Sequence, residues 1–340
     1  MSPAIPVPNI TLVIPTLNEA KYIDQALQCV VENGIPRDYM EVLLVDGGSS
    51  DRTVQIAQTF TDRLQLRVII VPGCTVYRAL NIGLGEARGT FFVRVDARSK
   101  IPGNYIDTCL QHLGEAGIMC AGGIQLQYGE SKVGDSIARV TSSVIGTGGA
   151  KFRTSTVSGF VDSVYLGAYR TQTLRELQGF EDNSDFVSED ALVNKRIREQ
   201  GGKIYLDASL LVLYPAKNTF RALVKQYLIY GAGKAFVFKK HHKLTSFRQL
   251  VPLIFLLLWL LLGILCIAGV LPWLGGLLVL FVYLSIVVLT NASSSVLGEQ
   301  RPGTLWGRTF ATFCIHFTWP FGFFLFLINP RLHKRLVKWL

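Results

Sequence analysis

Between Arg248 and Glu299 the sequence contains no charged residue. Two apolar runs fill that interval, 251–271 and 274–289. Each is about long enough to cross a hydrocarbon core of ~30 Å as a helix. A soluble core helix rarely runs so far without a polar face, so both are expected to be transmembrane. A third stretch, 310–328, carries His316 and is interrupted by Trp319-Pro320. It reads as a span, a kinked span or a re-entrant segment. A secretory signal is also missing, because residues 1–9 have neither a basic start nor an apolar run. The N-terminal domain is therefore expected to stay in the cytoplasm.

Acid is the next absence. From Ala208 to Gly298 there is no Asp or Glu against eight Lys and Arg, and the tail from Glu299 to Leu340 holds six basic residues and one acidic. Of the net charge of +10, the first 207 residues therefore carry −3. The cluster Lys234, Lys239, Lys240, Lys243 and Arg248 precedes the first span. That placement suits a cytoplasmic membrane face with anionic head groups. It also excludes nucleic acid as the partner, since the positive charge sits beside lipid-length helices and not on the soluble part. The six cysteines form no C-x-x-C pair and no Cys/His ligand spacing, so they are expected to be reduced and packed.

The soluble part alternates short apolar runs with helical stretches. Strands are expected at 10–15, 42–46, 67–71, 90–96 and 118–124, with helices after Asn18, after the capping Asp51, over 77–86 and from Pro102. This alternation predicts an α/β domain with a mostly parallel sheet and helices on both faces. Ligands of such sheets bind at the carboxyl ends of strands. Three polar clusters fall there: Asn18-Glu19, the run Asp46-Gly47-Gly48-Ser49-Ser50-Asp51, and Asp96. The glycines let backbone approach a flat ligand closely, and Asp46 can accept from an imide or a ribose hydroxyl. The Gly-, Ser- and Thr-rich residues 125–160 read as a long loop or flap over the site.

The motifs V-I-P-T-L-N-E, V-D-G-G-S-S-D-R-T, R-A-L-N-I-G, V-D-A and S-E-D follow one another in this order. In that order and spacing they resemble glycosyltransferase family 2 over residues 8–240. The stretches 161–170, 189–205 and 225–231 are most similar to the subgroup of the succinoglycan, or exopolysaccharide, glucosyltransferase with C-terminal membrane helices. The resemblance implies a GT-A nucleotide-sugar domain. It places Pro15, Thr16, Asn18 and Glu19 at the nucleotide, Asp46 with Gly48 and Ser49 at the base, and Arg78 and Asn81 near base and phosphates. Asp96 would meet the ribose and a divalent cation, Mg²⁺ or Mn²⁺. Asp190, beside Glu189 at a helix start, would be the general base.

The chemistry fits those roles. A nucleotide-sugar donor leaves as a diphosphate, whose growing charge needs a cation or arginines. The attacking acceptor hydroxyl needs one carboxylate to take its proton. One base without an enzyme nucleophile implies inversion. Asp96-Ala97-Arg98 departs from the usual D-x-D, with a cation where the second acid stands. Either Asp96 alone holds Mg²⁺ with phosphates and water, or Arg98 itself pairs with the diphosphate. Gln226 and Tyr230, expected at the acceptor, fall where processive relatives carry Q-x-x-R-W, but Ile229 replaces the Arg and Tyr230 the Trp. One sugar per encounter is therefore expected.

These features predict a cytoplasmic GT-A domain over 1–240, a basic linker over 241–250, a membrane domain over 251–330 with two or three spans, and a basic amphipathic tail over 331–340. The activity expected is transfer of one hexose from a UDP-sugar to a polyprenyl-linked saccharide at the inner membrane. The alternatives are a polyprenyl-phosphate hexose synthase and an inactive membrane assembly subunit. The nineteen residues of 310–328 fit one crossing better than a hairpin, favouring three spans.

Overall fold

The structure, a computed structural model, describes residues 9–181, 189–242, 250–293 and 303–339. Ser188, Arg301 and residues 243–249, most of the expected linker, lie outside the described residues. The strands are β1 (Ile10–Thr16), β2 (Met40–Asp46), β3 (Gln65–Ile70), β4 (Phe91–Arg94), β5 (Ile118–Tyr128), β6 (Gly159–Phe160), β7 (Tyr165–Arg170) and β8 (Lys203–Pro215). Among and after them run α1 (Ile23–Glu32), α2 (Thr53–Gln58), α3 (Val76–Glu86), α4 (Tyr105–Gly114), α5 (Lys132–Thr141), α6 (Val144–Thr147) and α7 (Lys151–Thr154). The remaining helices are α8 (Thr171–Glu176), α9 (Glu189–Glu199), α10 (Phe220–His241), α11 (Leu250–Ile267), α12 (Trp273–Ser293), α13 (Leu305–Ile328) and α14 (Pro330–Trp339).

The chain forms two units. The first comprises residues 9–126, 155–181 and 189–214 of the described chain. The strands form one sheet in the order β3-β2-β1-β4-β7-β5-β8-β6. β1 and β2 are near-continuous apolar runs and almost wholly buried, as strands covered on both faces must be. They pair in parallel, Ile10 opposite Met40 through Thr16 opposite Asp46, and β4 lies parallel on the other side of β1. The carboxyl ends of β1, β2 and β4 therefore share one edge. Beyond β4 antiparallel pairs enter, so the sheet is mixed: β4 to β7, β7 to β5 and β8 to β6 run in opposite senses.

One expectation is corrected here. Residues 125–160 are not a loop. β5 continues to Tyr128 with Gln125 and Gln127 buried, and α5, α6 and α7 follow. The serines and threonines that suggested a loop are helix caps and buried hydrogen-bonding groups. Ser131 Oγ accepts from Gly134 N at the start of α5, Ser143 Oγ from Gly146 N at the start of α6, and Thr141 Oγ1 donates to Gln127 Oε1 at 2.5 Å.

The second unit comprises residues 127–154, 215–242, 250–293 and 303–339. Three of its helices, α11, α12 and α13, are long and apolar enough to cross a membrane. They are not alike. α11 and α12 bury few of their side chains, while almost half of α13 is buried inside the unit. α13 is one continuous helix through Pro320 and packs along α10. A Cβ at Gly231 would collide with the Trp319 carbonyl, and one at Gly322 with the Leu228 carbonyl. Glycine at both positions lets the two backbones touch. His316 of α13 bonds the Tyr283 hydroxyl at 3.1 Å and the Ile145 carbonyl at 2.8 Å, and Asn291 donates to Thr312 at 3.0 Å. All six cysteines are unpaired thiols, five of them buried.

Candidate active site

At the carboxyl ends of β1 and β2 the backbone is tied into a compact double turn. Asp46 is buried, and its carboxylate is fully used. Oδ1 accepts from Gly48 N at 3.0 Å and Ser49 N at 2.7 Å; Oδ2 accepts from Ser49 Oγ at 2.5 Å and Thr16 Oγ1 at 3.2 Å. Gly48 has φ +91°, a conformation that favours glycine, and its Cα faces the ring of Pro72. Asn18, at φ +55°, crosses to the same turn: its N–H donates to Ser49 Oγ at 2.8 Å, and its Oδ1 accepts from Ser50 N at 2.9 Å. Thr16, Asn18, Asp46, Gly48 and Ser49 are thus one hydrogen-bonded floor, with Pro15 preceding Thr16 on β1. Asp51 extends it by accepting from Thr53 N and Oγ1 and from Ala20 N, and these bonds hold its carboxyl below the usual range.

Beyond β4 lies a charged cluster. Val95 N still bonds Val13 O at 3.0 Å, so Asp96 stands one residue past the ladder. Arg94, at the end of the strand, is buried with a side chain only 6% exposed. Its Nε donates to Asp96 Oδ1 at 2.8 Å, and its Nη1 to Glu189 Oε1 at 3.0 Å and Asp190 Oδ1 at 2.5 Å. The other Asp96 oxygen accepts from the Tyr165 hydroxyl at 3.1 Å, and Tyr165 meets Ser99 at 2.9 Å. Glu189 and Asp190 open α9, where the helix dipole favours negative charge. Burial pushes the Asp190 carboxyl up to about 7; the Arg94 charge opposes this, and Glu189 and Asp96 add to it. Burial disfavours the Arg94 charge too, but Asp190, Asp96 and Glu189 together outweigh it and hold the guanidinium ionised.

The D-x-D departure has its own partner. Arg98 Nε donates to both Glu19 oxygens, at 2.9 and 2.7 Å, and its guanidinium lies 5.4 Å from the centre of the Tyr22 ring. The pair joins the loops after β1 and β4. Among the described residues no group of three His, Cys, Asp or Glu side chains is placed to hold a metal ion. The donor set fits a cation only if Asp96 supplies one carboxylate and the rest comes from phosphate and water, as Mg²⁺ permits.

Sequence reasoning brings most of its residues to this edge, with exceptions. Asn81 donates to the Phe180 carbonyl at 2.7 Å and accepts its N–H at 2.8 Å, so its amide pins the turn after α8. Arg78 is exposed on α3 and makes no hydrogen bond or ion pair among the described residues. Gln226 and Tyr230 belong to α10 in the second unit and bond each other at 2.8 Å. Two residues were missed, Arg94 and Tyr165. The signal for Arg94 was present: a lone cation inside the apolar run Phe91–Val95 must find buried acid. Tyr165 had none, because its partner is reached only through the antiparallel pairing of β4 with β7.

Residues 11–174 match the family model described as glycosyl transferase family 2. A succinoglycan biosynthesis protein, ExoA of Rhizobium meliloti (strain 1021), is 28% identical over 71% of this chain and 74% of its own. A Methanococcus voltae protein is 25% identical over 68% of this chain and 74% of its own. It is named dolichyl N-acetyl-alpha-D-glucosaminyl phosphate 3-beta-D-2,3-diacetamido-2,3-dideoxy-beta-D-glucuronosyltransferase. The mannosyltransferase PcManGT of Pyrobaculum calidifontis, solved with GDP-Man and Mn²⁺, shares the fold at a TM-score of 0.61 and 17% identity. That match covers 92% of this chain and 87% of the other. The first unit is a mixed-sheet, GT-A-like domain.

Proposed function

The protein is a glycosyltransferase with a family 2 domain over residues 11–174, and from that premise we propose transfer of one hexose from a UDP-sugar to a lipid-linked saccharide, with inversion at the anomeric carbon. The observation that carries this reading is the convergence of Asp96 and Asp190, far apart in sequence, on one buried guanidinium. The relative named for a dolichyl-linked saccharide supports an acceptor carried on lipid, and the one named for succinoglycan biosynthesis supports a polysaccharide product.

The nucleotide lies over the floor built by Thr16, Asn18, Asp46, Gly48 and Ser49. Asp96 faces the ribose and diphosphate. A divalent cation bound there, Mg²⁺ or Mn²⁺, supplies charge against the departing diphosphate. Asp190 takes the proton of the acceptor hydroxyl as the new oxygen–C1 bond forms. The bond from C1 to the diphosphate oxygen breaks, and its electron pair leaves with UDP. Arg98 is engaged by Glu19, which favours the cation over the arginine as the main counter-charge. The apolar helices of the second unit support attachment to the inner membrane, and the basic α10 supports a cytoplasmic catalytic domain.

The test is a screen of nucleotide hexoses with membranes carrying the protein, with and without Mg²⁺ or Mn²⁺. Label should move from a UDP-hexose into lipid-linked saccharide, and chelator should stop it. Label recovered only as polyprenyl-phosphate hexose would replace the acceptor. Activity indifferent to chelator but abolished by Arg98→Ala would replace the cation.

A further inference from the structure

Strand β7 holds a backbone conformation that leucine rarely adopts. Leu166 has φ +52°, in the left-handed region that favours glycine, and it is buried. The pairing with β5 shows what the conformation does. Ala168 stands opposite Ala121 and Tyr165 opposite Gly123, so Leu166 and Gly167 face Gly122 alone. Two residues against one is a β-bulge. A one-residue slip turns the side chains beyond it to the other face of the sheet, so the bulge decides where Tyr165 points.

Two features hold the bulge. The Tyr105 hydroxyl, buried on α4, donates to the Leu166 carbonyl at 2.5 Å and lies 3.2 Å from the Tyr165 carbonyl. Gly122 leaves the room opposite, where a Cβ would stand 2.8 Å from the Tyr165 carbonyl oxygen. Strained backbone of this kind persists only where its surroundings fix it, and it concentrates at functional sites.

What the bulge aims is the Tyr165 hydroxyl. It donates to Asp96 Oδ2 at 3.1 Å and meets Ser99 Oγ at 2.9 Å. Asp96 and Ser99 are the ends of one tight turn, closed by Ser99 N on the Asp96 carbonyl at 2.9 Å. One hydroxyl therefore ties both ends of the turn that presents Asp96. Arg94 Nε bonds the other carboxylate oxygen at 2.8 Å. A bond on each oxygen fixes the plane of the carboxylate, and with the side chain 21% exposed its remaining lone pairs stay open to a ligand.

We propose that Tyr165 is a positioning residue for donor binding: the strained bulge at Leu166, braced by Tyr105, aims its hydroxyl so that Asp96 is held toward the ribose and diphosphate. The inference rests on the donor-side role given to Asp96 above. Tyr105 acts through Tyr165, so the two form a series and not two independent supports.

The experiment compares the full-length protein with Tyr165→Phe, Tyr105→Phe and the double variant, in detergent with Mn²⁺. It measures UDP affinity by calorimetry, KM for the UDP-hexose and for the lipid-linked acceptor, and the melting temperature as a check that each variant is folded. Tyr165→Phe should weaken UDP binding and raise the UDP-hexose KM about tenfold, the scale of one hydrogen bond to a charged group, while the acceptor KM holds. Tyr105→Phe should weaken UDP binding in the same direction. The double variant should bind UDP no more weakly than Tyr165→Phe alone, because residues acting in series are not additive. UDP binding at the native level in Tyr165→Phe overturns the proposal. So do losses that add in the double variant, and so does an equal rise in both KM values, which marks a merely structural role. If Tyr105→Phe fails to fold, the split between the two KM values in Tyr165→Phe decides. A native protein that binds no UDP and moves no hexose from any nucleotide sugar overturns the transferase reading itself, a result distinct from any variant's.

Discussion

As the proposed base, Asp190 carries the heaviest chemical demand in the site, because a base must be ionised to accept a proton. Its carboxyl is raised chiefly by burial, with Glu189 and Asp96 adding to the effect. Activity should therefore appear as pH rises through that raised value and be lost as pH falls through it. A kcat/KM profile should show an acid limb well above the ~4 of an ordinary carboxylate. A limb near 4 would mean that another group takes the proton. Arg98 invites a different expectation. Its pairing with Glu19 is partly exposed, at 35% and 14%, so it contributes little to stability. Glu19→Gln should leave the melting temperature within a few degrees. If the Glu19–Arg98 pair only joins the two loops, KM for the nucleotide sugar should also hold; a large rise in KM would show that the pair shapes the donor site.

Elements show how far the sequence could be read. β1, β2 and the acids at the start of α9 were legible because their signals are local: unbroken apolar runs, a turn-forming Asp-Gly, and paired acids before an amphipathic stretch. Residues 125–160 were not legible. Small polar residues serve loops and helix caps equally, and only burial against distant elements distinguishes the two. Arg94 shows the same limit, since its three partners lie up to 96 residues away in sequence. The α10–α13 crossing was likewise invisible, because two isolated glycines look like spacing until their backbones meet. Gly231→Leu or Gly322→Leu should each lower stability by about 1–3 kcal/mol through overpacking, read as a lower melting temperature in detergent. Gly263→Leu is the control: a Cβ there meets nothing within 4 Å, so its melting temperature should not move.

At the scale of the molecule, α11, α12 and α13 predict that the protein stays with membranes through high salt and alkaline carbonate washes. Their unequal burial makes the last crossing the informative one. α13 lies along α10, which carries Arg221, Lys225, Lys234, Lys239 and Lys240. Taking the charged α10 into lipid would be costly, which argues for two full crossings and a tail on the catalytic side, against the three that segment length alone favours. A cysteine placed in the tail should then react only after the membrane is opened, in right-side-out vesicles. Labelling in sealed vesicles would mean three crossings.

Labelled-hexose incorporation into lipid extracts by native and Asp190→Asn membranes most directly tests hexose transfer driven by one half-buried aspartate. Native membranes should transfer label from a UDP-hexose, and Asp190→Asn should lose about 100-fold or more of that rate while still binding the nucleotide sugar. Native-level transfer by Asp190→Asn would contradict it.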